Sequence, residues 1–146
     1  MKVEFAGFLL SLPEGWVDVT EDSGEDAPPT LTAGPEGLGA LQFSIGEYES
    51  GDRPNVGLTD VVELLEDFAS RQGLRASGPF RTREDPPLAS GDFLDDDGFI
   101  RAWCVSDGRS VAFVTYTCGE RSGDRFVAEL GAADRIVRSI EFPAES

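Results

Sequence analysis

The densest run of chemically capable side chains is Asp92-x-x-Asp95-Asp96-Asp97-Gly98, with four carboxylates in six positions. Hard oxygen ligands at that density suit calcium. An EF-hand loop, however, fixes glycine at its sixth position, which puts Phe93 first and Cys104 twelfth, where acidic ligands belong. The calcium pattern fails, leaving at most a looser, weak cation site. Aspartates ahead of a glycine make and cap tight turns, which is the better account of this run. A second acidic cluster, Glu21, Asp22, Glu25 and Asp26, lies in TEDSGEDAPP. That stretch is non-periodic and punctuated by Gly and Pro, so it reads as an exposed loop. It is either a solvated connection or an acidic contact surface.

The chain contains no histidine. That removes the commonest general base, the usual serine and cysteine dyads, and imidazole ligation of zinc. Ser44 and Ser106 have no partner base. No nucleophile-elbow, P-loop or dinucleotide-binding glycine pattern occurs at a strand–helix junction. Paired carboxylates could do general acid/base work, as in glycosidases. With 28 acids in the chain some pairs are inevitable, and none stands in an apolar setting that would raise its pKa. No enzyme, cofactor or metal is expected. Trp16, Trp103 and Tyr116 could anchor a partner, but aromatic residues at strand positions are more often core.

The elements that position these groups centre on Phe99–Cys118, two long apolar strands around Asp107-Gly108. A two-residue turn there would pair Ser106 with Arg109 and Trp103 with Ala112. Both faces of the hairpin are apolar, so both must be covered, and Phe113 is expected to be fully buried. Arg101 is the exception on its face and must lie at the rim or be paired. Cys104 and Cys118 fall on opposite faces, which forbids a disulfide between them. Thr59–Gln72 has a helical apolar stripe, Val61, Leu64, Leu65, Phe68 and Ala69. Thr59 is its expected N-cap and Gly73 its expected left-handed end. Asp124–Val137 is a second helix, with Phe126, Leu130, Ala133 and Val137 on one face. Short strands are expected at Val3–Phe5, Phe8–Leu12, Thr30–Ala33, Gly39–Gly46, Leu88–Leu94 and Ser139–Phe142. Irregular or edge structure is expected between Leu74 and Pro87.

Length and composition suit one globular domain over 1–146. The net charge of −16 repels nucleic acid and anionic membrane surfaces. It suits a basic protein partner, or simply solubility. The N-terminus does not read as a secretory signal, and no stretch approaches a membrane span. A cytoplasmic location is expected; oligomeric state is not legible.

FLLSLPEGW near the start, the meander ending VAFVTYTC, and the terminal helix running into RIVRSIEF together resemble the PsbP/DcrB-like α/β superfamily. That superfamily holds photosystem accessory proteins, a nuclear-import regulator that binds a small GTPase, and bacterial proteins of unknown function. One bacterial branch comprises chaperones for type VI secretion effectors. The resemblance implies an antiparallel sheet between helices, and it brings no shared catalytic residues. The expectation is an α+β fold, a curved antiparallel sheet with helices on both faces. Its function would be a non-catalytic, acidic protein-binding module of the bacterial cytosol: an adaptor, chaperone or immunity-type protein for a basic partner. Glu21, Asp22, Glu25, Asp26, Asp95, Asp96 and Asp97 are its candidate contacts. Two alternatives remain, an effector chaperone with an apolar groove and a small carboxylate-based hydrolase.

Overall fold

The structure, a computed structural model, describes residues 2–5, 8–13, 15–20, 29–33, 39–47, 57–84, 87–95, 98–106, 110–119 and 123–141. Strands β1 (Lys2–Phe5) and β2 (Phe8–Ser11) pair as a separate antiparallel hairpin. The main sheet contains β3 (Val17–Asp18), β4 (Thr30–Thr32), β5 (Gly39–Glu47), β6 (Arg75–Ala76), β7 (Arg81–Arg83), β8 (Leu88–Asp95), β9 (Gly98–Ser106) and β10 (Ser110–Cys118). Its order is β3-β4-β5-β10-β9-β8-β6, with β7 also on the outer side of β8. Every pairing is antiparallel.

Alternation along the central strands divides the core in two. Phe99, Trp103, Val105, Ala112, Val114, Tyr116 and Cys118 face helix α2 (Asp124–Arg138) and the β1–β2 hairpin. Ala102, Cys104 and Val111 face helix α1 (Leu58–Gln72), which contributes Val61 and Leu65. Both faces are covered, as two apolar faces require, and the two cysteines lie in different cores, not joined by a disulfide.

The register of the central hairpin differs from the expected one by two residues. Ser106 pairs with Val111 and Trp103 with Val114. The Asp107-Gly108 turn lies outside the described residues. Because side chains alternate with a period of two, this shift leaves every side chain on its expected face. β8 and β9 pair as far as Asp95 and Gly98, and Asp96-Asp97 between them lies outside the described residues.

Three further expectations are corrected. Helix α1 starts at Leu58, so its N-cap is Gly57 and not Thr59. The Asp60 carboxylate reaches back to accept the Gly57 N–H at 2.8 Å. A side chain from the first turn thus satisfies the end of the helix in place of a capping hydroxyl. Its other end is as expected, with Gly73 at φ 67° in the left-handed region. Second, Phe113 is only half-buried. It stands at the margin of the α1 core, its ring 4.6 Å from that of Phe68. Third, the expected last strand is a single bridge between Glu141 and Leu9, and Phe142 is outside the described residues. That bridge ties the end of α2 to the edge of the hairpin through two backbone bonds of 3.0 and 2.7 Å.

Candidate functional site

Three polar clusters interrupt the face of the sheet that α2 covers. At its centre, Glu129 projects from α2 into the core and is only 8% exposed. Its carboxylate accepts the Tyr116 hydroxyl at 3.0 Å and the Gly39 N–H at 2.9 Å. It ties one helix to two adjacent strands, β5 and β10. Burial, with the Glu129 carboxylate second, raises the Tyr116 pKa, so the phenol stays protonated and donates. One turn further along α2, Asp134 accepts the indole N–H of Trp103 at 3.0 Å and the Arg138 guanidinium at 2.8 Å. Both clusters hold α2 in place on the sheet.

The third cluster is at the rim. Strand alternation puts Asp92 of β8 beside Arg101 of β9 and near Arg81 of β7. Both Asp92 oxygens take the Arg101 fork, at 2.5 and 2.9 Å. Arg81 adds a further contact of 3.2 Å to an oxygen already in use. Burial works against ionising this carboxyl. The hydrogen bond and charge of Arg101, reinforced by Arg81, outweigh burial and hold its pKa below the usual carboxylate value. The expectation that Arg101 would be paired is met. Asp92 is not available as a cation ligand, because its lone pairs serve guanidiniums.

Beside this cluster the outer edge of the sheet is broken. Ala76 pairs with Phe93 and Arg81 with Ser90, so the four residues 77–80 span the two positions 91 and 92. A groove of about 250 Å³ opens there, lined by Ser77, Gly78, Pro79, Phe80, Arg81 and Asp92. Phe80 lies across Gly91, where a Cβ would come within 2.7 Å of its ring, and stacks edge-on against Phe93. Glycine at 91 is what lets the bulge close on the sheet.

The acidic candidates behave differently from these residues. Glu21, Asp22, Glu25, Asp26, Asp96 and Asp97 lie outside the described residues, and Asp95 is described only through its backbone pairing with Gly98. Trp16, Trp103 and Tyr116 are core. Among the described residues no group of three His, Cys, Asp or Glu side chains could hold a metal ion. Burial pushes the Cys104 thiol up to about 12, which suits a core residue and not a nucleophile. Among the described residues no helix is long and apolar enough to cross a membrane.

Sequence reasoning missed the rim, although a signal was present. Between Arg71 and Arg83 the chain has four arginines and no acid, in a protein of net charge −16. The Glu129 anchor had a weaker signal, an acid one position before Leu130 on the apolar side of its helix.

No protein-family model matches the chain, and neither does any curated protein. Among solved structures it is similar to the solution structure of cyanobacterial PsbP (CyanoP) from Synechocystis. The TM-score is 0.60 at 15% sequence identity, covering 98% of this chain and 92% of that one. A likeness at that identity establishes a fold. The chain has a PsbP-like α+β fold, in agreement with the resemblance in its sequence.

Proposed function

We propose that this protein is a non-catalytic binding module of the bacterial cytosol whose acidic surface engages a basic protein partner. The observation that carries this reading is the net charge of −16 on a PsbP-like scaffold. The carboxylate at the sheet rim supports it. Against the cost of burial, Arg101 and Arg81 hold the Asp92 carboxyl below the usual carboxylate value. An acid/base pair needs one carboxyl pushed the other way, so the hydrolase reading has less to stand on. The groove at the sheet edge mixes Ser77, Arg81 and Asp92 with Gly78, Pro79 and Phe80, so it is not the wholly apolar groove that the chaperone reading calls for.

Glu21, Asp22, Glu25 and Asp26, with Asp95, Asp96 and Asp97, are the proposed contacts. Loops at strand ends can offer charge without disturbing the core. Capture from a bacterial lysate on immobilised protein tests the reading, with Glu21→Lys combined with Asp22→Lys as the comparison. A basic protein retained by the native chain and lost from the double variant is expected. Equal retention by both would place the contact elsewhere.

A further inference from the structure

The rim of the main sheet carries charge of the wrong sign for the molecule. Register puts Arg75 opposite Leu94, Arg81 opposite Ser90, Arg83 opposite Leu88 and Arg101 opposite Asp92. Leu88 and Leu94 pack into the α2 core, so by alternation all four arginines stand on that same face, at its outer margin. Asp92 is the acid bonded among them, and the Arg101 fork already fills both its oxygens. The Arg81 guanidinium is half exposed, and among the described residues its contact is the 3.2 Å one to Asp92. Most of its five donors are left over for something else. Arg75 is exposed on the two-residue strand β6, with no described ion pair.

We propose that this broken edge is a docking site for an extended acidic peptide segment, whose carboxylates pair with Arg81 and Arg75 on either side of the groove. Three features of the edge fit that occupant. The guanidinium fork matches a carboxylate bidentately. Arg75 and Arg81 are matched to positions four residues apart on β8, about 13 Å in a strand, which is the separation of carboxylates at i and i+4 of an extended chain. The groove over residues 77–80 lies between them and gives the intervening residues room against Pro79 and Phe80. A long polyanion such as nucleic acid meets the net charge of −16 beyond this rim, whereas a short segment with two carboxylates meets chiefly the arginines. This site is separate from the acidic contacts proposed above and takes a ligand of the opposite sign.

The test is fluorescence anisotropy with a labelled nine-residue peptide bearing glutamates at positions three and seven, against the same peptide with glutamines there. Saturable binding of the glutamate peptide is expected, with the glutamine peptide more than about tenfold weaker. Arg81→Gln and Arg75→Gln should each weaken binding by about fivefold, as exposed charge pairs do. Arg81→Gln leaves the Asp92–Arg101 fork intact, and thermal melts of both variants should match the native protein. Should Arg81→Gln nevertheless perturb folding, Arg75→Gln alone carries the test. Equal affinity for the two peptides, no saturation, or native-like affinity in a folded Arg75→Gln variant would overturn the proposal.

Discussion

Ser90 is fully buried, and its hydroxyl has no hydrogen-bond partner among the described residues. An unpaired buried hydroxyl costs about 1–3 kcal/mol of desolvation, and alanine removes the group while leaving little space behind. Ser90→Ala should therefore leave stability unchanged or raise it by about 1 kcal/mol, read from urea melts. Asp92 shows the opposite case, a charge over-supplied with partners. Its folded pKa is lowered, so the stability it contributes is present above the unfolded value near 3.9 and is lost as pH falls through the folded value. Acid titration of the native protein should show this loss below about pH 4, and Asp92→Asn should flatten that part of the curve. At this scale the sequence is least legible. Asp92 looked like part of an acidic run with Asp95–Asp97, and only strand pairing shows that its neighbours are Arg101 and Arg81. Glu129 gave the same difficulty. A carboxylate on an apolar stripe reads as an imperfection until Tyr116 and Gly39 come within reach.

At the scale of elements, the hydrophobic period carried most of the information. The two helices and the long strands follow from it, and so do the two faces of the central hairpin, which survive a register error of two residues. Period alone does not report how far along a strand the cover extends. Phe113 and Phe93 both face α1, yet Phe93 is fully buried and Phe113 only half-buried beside Phe68. Phe93→Ala should cost about 3–5 kcal/mol. Phe113→Ala should cost clearly less, because part of its ring remains in water and the cavity can collapse. Equal shifts of the urea midpoint would contradict this placement. The edge strands β6 and β7 were legible only as irregular structure, since Gly78-Pro79 masks two short pairings with β8. The cap of α1 misled for a physical reason as well. Thr59 has the right chemistry, but the Asp60 carboxylate closes the first turn from within, so the cap lies two residues earlier, at Gly57.

Across the whole molecule, shape and charge are separable. The PsbP-like fold rests on two apolar cores and one set of polar anchors under α2, none of which depends on the net charge of −16. That charge is therefore available for the proposed association, and Arg75, Arg81, Arg83 and Arg101 are gathered on one rim. A field of one sign speeds encounter with a basic surface and fades as salt shortens its range from about 30 Å at 0.01 M to about 8 Å at 0.15 M. The most direct measurement is the association rate of a captured basic partner, by stopped flow, at those two ionic strengths. It should be made for the native chain and for the variant combining Glu21→Lys and Asp22→Lys. The account predicts a steep fall with salt for the native chain, and slower association with little change in dissociation for the variant. An association rate indifferent to both salt and the double reversal would contradict it.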